Sequence, residues 1–188
     1  MKFYKSSLIS LVAVATLVVS TAGFAKKPED QTTIVDVAAA VNAETGEFST
    51  LLFAAGLYPD IVAYLDGRGQ RTLFAPTDQA FANLNGILPL FCYADVVELA
   101  TMQPDYIADV LTYHVAKGRK DAAEVLPKEQ IRMLSGDFVT RTPGSLVITD
   151  ALGRDANLEA VNIFGDNGVI HVISEVILPY PPQTNCIL

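Results

Sequence analysis

Apolar residues recur at a helical period in the first half of this chain and at a period of two, or in short runs, in the second. Ile34-Val-Asp-Val-Ala-Ala-Ala-Val41 reads as a helix capped by Thr32 or Thr33. Phe48, Leu51, Leu52 and Ala55 fall at i, i+3, i+4 and i+7 on a second helix, and Gly56 stands at its C-terminal end. Pro59 to Leu65 makes a third, closed by the turn cluster Asp66-Gly-Arg-Gly69. Arg71 to Ala75 is a short strand that Pro76 ends, because proline donates nothing to a sheet ladder. Thr77 then caps a helix through Leu84, with Asp78 in the first turn, where the helix dipole favours negative charge. Asn85 to Pro89 breaks the chain; Asp95 opens another helix, and Pro104-Asp105 a further one through Leu111. Tyr113 to Ala116 turns to strand, and Asp121 to Val125 fits one helical turn. Beyond it, Gln130–Leu134, Phe138–Thr142, Leu146–Thr149, Leu158–Phe164 and Val169–Leu178 read as five strands separated by glycine-bearing turns. Helices gathered before strands predict an α+β fold with a mainly helical N-terminal half.

The N-terminus changes the picture of where this domain works. Lys2 and Lys5 precede an apolar run from Leu8 to Val19, and Gly23-Phe24-Ala25 supplies small residues for cleavage, so residues 1–25 read as a signal peptide. The competing reading, a membrane anchor, is short for a span and diluted by Ser and Thr. Residues 26–31 form a polar leader, 32–180 the domain and 181–188 a tail. The expected product is secreted or periplasmic, without stable membrane insertion once the signal is removed. Residues 1–25 hold two of the 13 basic residues and none of the 21 acidic ones. The remainder therefore carries 11 basic against 21 acidic, which argues against nucleic acid and anionic membranes as partners. Two cysteines in an exported chain, Cys92 and Cys186, invite a disulfide tying the tail back; the alternative is a buried thiol and a free one in the tail.

Constellations for catalysis are sparse. The two histidines, His114 and His171, sit in apolar surroundings, where an imidazole usually serves as a hydrogen-bonded core residue. No Gly-x-Ser-x-Gly elbow is present, and nothing basic neighbours Cys92 in sequence to activate a thiolate. No His-x-x-x-His or Cys-x-x-Cys spacing suggests a metal. Asp150 and Asp155 flank a glycine-containing loop, and Asp166-Asn167-Gly168 has a faint calcium-loop look, but the acidic ladder and closing Glu are missing. The expectation is a protein with no catalytic residues, no metal and no cofactor.

Three blocks in order, Thr72-Leu-Phe-Ala-Pro-Thr-Asp-Gln-Ala-Phe81, Leu111-Thr-Tyr-His-Val115 and Asn167-Gly-Val-Ile-His-Val-Ile-Ser-Glu-Val-Ile-Leu-Pro179, resemble the fasciclin domain, from about Thr32 to about Pro179. The resemblance implies a wedge of two small β-sheets with helices packed alongside. It implies an exported, bacterial adhesion or matrix-binding module whose partner is a protein or polysaccharide on a cell surface or matrix. Carried over from some animal members, receptor binding would fall on Tyr113 and His114, with Leu111 and Val115 nearby. Thr77, Asp78 and His171 would be structural motif residues. An Arg-Gly-Asp tripeptide is absent, and the interposed Leu88–Tyr93 segment and cysteine-bearing tail depart from the family pattern. The alternative role is a soluble carrier of a small apolar ligand in a cleft between helices and sheets; a hydrolase built on either histidine ranks last.

Overall fold

The helical half forms where its caps are in place. A computed structural model describes residues 31–184 and Cys186. The expected signal peptide, most of the leader and the last two residues lie outside the described residues. Helix α1 (Ile34–Thr45) begins at Thr33, whose hydroxyl accepts from Asp36 N while the Asp36 carboxylate accepts from Thr33 N. It stops at Gly46, whose φ of 76° is a left-handed conformation that glycine adopts without a Cβ clash. Helices α2 (Ser49–Gly56) and α3 (Pro59–Asp66) lead into strand β1 (Arg71–Pro76). Then come α4 (Asp78–Ile87), a 3-10 turn over Leu88–Phe91, α5 (Val96–Met102) and α6 (Pro104–Tyr113). Helix α4 outruns its expected stop at Leu84, because Gly86 faces open space and Pro89 fits the first turn of the 3-10 segment. No single helix among the described residues is long and apolar enough to cross a membrane.

The second half is β2 (Val115–Lys117), the one-turn helix α7 (Ala122–Val125), β3 (Gln130–Arg132), β4 (Phe138–Thr140), β5 (Val147–Thr149), β6 (Asp155–Gly165) and β7 (Gly168–Ile173). Seven strands form a mixed ladder in the order β2-β1-β7-β6-β5-β4-β3. Only the β1–β7 pair is parallel. The long strand β6 serves both halves of this ladder: its C-terminal part pairs with β7, its N-terminal part with β5. Register shifts between Leu158 and Ile163 bend it. The two ends of the ladder meet, since Ala116 bridges Met133 and Leu134 N donates to Val115 O at 2.6 Å. Closing the ladder this way leaves neither β2 nor β3 as a fully open edge.

Closure divides the interior in two. One cluster, including Ile34, Phe48, Leu51, Phe81, Leu99 and Ile107, lies between the helices and the sheet. The other, including Phe74, Tyr113, Ile131, Val139, Ile148 and Ile173, fills the space inside the ladder. The last strand is shorter than its apolar run predicts. It ends at Ile173, where Ser174 and Asn157 exchange bonds at 3.0 Å, and Val176, Ile177 and Leu178 are buried outside any strand. Their backbone groups must be satisfied by side chains, which is where the polar residues of the motifs enter.

Candidate functional site

Tyr113 ends helix α6 and His114 follows it, so the two side chains diverge into different cores. Tyr113 is fully buried inside the ladder and donates its hydroxyl to Phe138 O at 2.8 Å. Burial pushes this phenol up to about 12. His114, 2 % exposed, lies between the helices and the post-β7 segment. Its Nδ1–H donates to Val110 O at 2.7 Å, satisfying a carbonyl left over at the helix end, and its Nε2 accepts from Ile177 N at 3.2 Å. That pair of bonds requires the neutral ring with its proton on Nδ1. Burial, the dominant cause, lowers the imidazole to about 4.

Two residues that sequence reasoning did not single out together complete this cradle. Asp150, 5 % exposed, accepts from Leu152 N and Arg154 N through Oδ1. Its Oδ2 accepts from Arg154 Nε and Nη2 and from Leu178 N. Arg154 also donates to Val176 O at 2.7 Å. Residues 176–178 are thus held in turn by Arg154, His114 and Asp150. The Asp-x-x-x-Arg spacing across Gly153 is the available signal; in the sequence Asp150 stands out only as a flank, with Asp155, of a glycine-containing loop. Every oxygen of Asp150 is occupied by the fold.

His171, fully buried on β7, does the same work on the other side. Its Nε2–H donates to Lys120 O at 2.8 Å and its Nδ1 accepts from Asn162 N at 3.4 Å. Asn162 sits in the β6 irregularity with φ 63°, and its side chain accepts from Ala122 N. Burial lowers this imidazole as well. Among the described residues no carboxylate hydrogen-bonds either imidazole.

Thr77 caps α4 by accepting from Ala80 N at 3.2 Å. Asp78 reaches across instead, accepting from Thr50 N at 2.7 Å and so capping α2. One Thr-Asp pair therefore starts two helices. Asn167 is fully buried: its Oδ1 accepts from Ile34 N, and its amide donates to Leu65 O and Gly67 O. These three bonds tie α1 to the end of α3, a structural role that needs no ion. Cys92, at φ 64° after the 3-10 turn, is joined to Cys186 with a Cα–Cα distance of 5.3 Å. Tyr180, on the same tail, donates to Asp109 Oδ2, and Gln183 O accepts from Tyr93 and Gln103. Such a bridge fits an oxidising compartment.

The packing of the helices on the sheet leaves an apolar recess. A cleft of about 190 Å³ opens between α1, α2 and α3 over Leu73 and Leu111. His114 is its only ionisable lining residue, and both ring nitrogens of His114 are engaged elsewhere. The other residues lining that cleft are apolar or glycine.

Comparison with known proteins places this geometry. A family model described as Fasciclin domain matches residues 43–179. Protein sll1483 of Synechocystis sp. (strain ATCC 27184 / PCC 6803 / Kazusa) is 40 % identical over 151 residues, covering 78 % of this chain and 73 % of that protein. Uncharacterized protein sll1735 of the same organism is 34 % identical over 132 residues, 70 % of this chain and 89 % of the relative. A solved FAS1 domain pair from the insect cell adhesion molecule Fasciclin I is 19 % identical with a TM-score of 0.47, covering 76 % of this chain and 44 % of that one.

Proposed function

The chain belongs to the fasciclin domain family, and from that premise we propose that it is an exported, non-enzymatic adhesion module that binds a protein or polysaccharide on a neighbouring surface. One observation carries the reading. Six polar side chains of the three signature blocks, Thr77, Asp78, Tyr113, His114, Asn167 and His171, are bonded to backbone within the fold. Residues so engaged serve as scaffold, and recognition falls to the exterior. That exterior displays large apolar side chains on its helices, among them Phe53 at 59 % and Leu90 at 76 % exposed. A receptor contact through Tyr113 or His114 would require that side chain to leave its buried place.

A single domain of this kind attaches firmly only in many copies, so the test displays it that way. Beads carrying the purified, disulfide-intact protein are incubated with cells that express it and with their isolated surface polysaccharide. Retention that bare beads lack, together with weaker attachment of cells deleted for the chain, is the expected result. Equal attachment of deleted and parent cells, with no bead retention, overturns the reading.

A second reading, carriage of a small apolar ligand, is favoured by the cleft over Leu73 and Leu111. Its volume is close to that of an engineered cavity of about 150 Å³ that holds benzene. A thermal shift with benzene or a short alkane, absent when Ala55 is replaced by Phe to fill the cleft, is the result that supports it.

A further inference from the structure

Eleven basic residues follow the signal segment, against 21 acidic ones. Four of the eleven, Lys117, Lys120, Lys128 and Arg132, line a single groove of about 340 Å³ at the seam where β2 and β3 close the ladder. The rest of its lining is Gln130, Ile131, Met133, Leu134 and Gly136, with no carboxylate. Among the described residues none of the four cations is in an ion pair. Lys117, Lys128 and Arg132 are exposed and Lys120 is half-buried. Strand alternation explains the arrangement: Ile131 and Met133 point into the inner core while Arg132 points out.

The groove is held rigidly from behind. Thr72 donates its hydroxyl to Gly118 O and accepts from Lys120 N, both at 2.8 Å. His171 fixes Lys120 O from the neighbouring strand, and Leu134 N ties β3 to Val115 O. The buried His171 is therefore a positioning residue for the segment that presents Lys117 and Lys120. A concave surface of one charge sign focuses its field, so it attracts an anion even on a molecule whose net charge is negative. The same net negative charge opposes a broad, flat anionic bilayer and favours a narrow, flexible chain that enters the groove alone.

We infer that this groove binds an anionic polysaccharide, a chain of uronate or sulfated sugars whose acid groups meet the four cations while a ring face rests against the half-buried Leu134. The inference rests on the adhesion reading and names the chemistry of its partner.

The test measures binding of the full mature protein to polygalacturonate, dextran sulfate and neutral dextran in low and high salt. Binding to either acidic polymer and not to neutral dextran, weakened at least about tenfold between 50 and 500 mM salt, is expected. The two acidic probes distinguish carboxylate from sulfate recognition. K128E in the groove should lower affinity several-fold, and K117E/K128E at least tenfold. R68E, an equal charge change at an exposed site elsewhere, should not. Circular dichroism and melting establish that the variants fold. Equal losses in K128E and R68E overturn the groove, as does binding to anionic phosphatidylglycerol vesicles without binding to either acidic polymer. Cell attachment separates the two readings: attachment that persists undiminished in K117E/K128E sinks the groove and leaves adhesion standing. Acidic-polymer binding with no attachment phenotype on deletion sinks adhesion and leaves the groove.

Discussion

His114 shows most plainly how one side chain can look like a site and act as scaffold. Its neutral ring bonds Val110 O and Ile177 N, and a second proton would set Nε2–H against the Ile177 N–H. Folding lowers its pKa from 6.5 to about 4, so as pH falls the unfolded chain takes up this proton first. The stability it protects is complete above pH 6.5 and is lost as pH falls toward 4, by about 3 kcal/mol. Replacement by Phe should cost about 2–3 kcal/mol at pH 7, since it leaves two buried backbone groups unmet. It should also abolish this part of the acid sensitivity. Urea titrations of both proteins at pH 7 and pH 4.5 check the pair: the gap between them should narrow at the lower pH. A gap that stays constant would mean that the imidazole is protonated in the native state.

Elements depend on single positions, Gly168, where the backbone leaves no room, and Asp78, which caps a distant helix. A Cβ on Gly168 would lie 2.3 Å from Arg71 O, across the β1–β7 pairing. Gly168→Ala should therefore cost more than about 3 kcal/mol, read as a lost or sharply shifted unfolding midpoint. Asp78→Ala removes the cap on Thr50 N while leaving Thr77 on its own helix. It should cost about 1 kcal/mol, with hydrogen exchange rising in Ser49–Gly56 more than in Asp78–Ile87. Sequence reasoning placed most helices and strands because their caps and periods are local. It assigned Asp78 to the dipole of its own helix, because a carboxylate that reaches 28 residues back leaves no local pattern. It extended β7 through Leu178 for a related reason: the apolar run Val176-Ile-Leu178 looks like strand. Only the contacts with His114, Asp150 and Arg154 reveal that side chains hold it.

At the scale of the whole molecule, the decisive events are long-range and therefore least legible. The α+β class and the family blocks could be read directly. Closure of the ladder at Ala116 and Met133 could not, since it depends on how far β6 bends. The basic groove was invisible because its cations are spread from Lys117 to Arg132 among acidic residues, with no run of like charge. The Cys92–Cys186 bridge spans 94 residues and pins a tail that also bonds Tyr93, Gln103 and Tyr106. By the chain-entropy model a closure of that length stabilises by about 4–5 kcal/mol. Reduction with dithiothreitol should lower the urea midpoint accordingly, and limited proteolysis should then clip the chain after Pro179 first.

The central claim is that the signature residues frame the fold and that attachment belongs to the surface outside it. Retention of beads bearing His114→Phe on cells that express the chain, normalised to the folded fraction, tests it most directly. Retention equal to wild type per folded molecule is the predicted result. Loss of retention per folded molecule would contradict it.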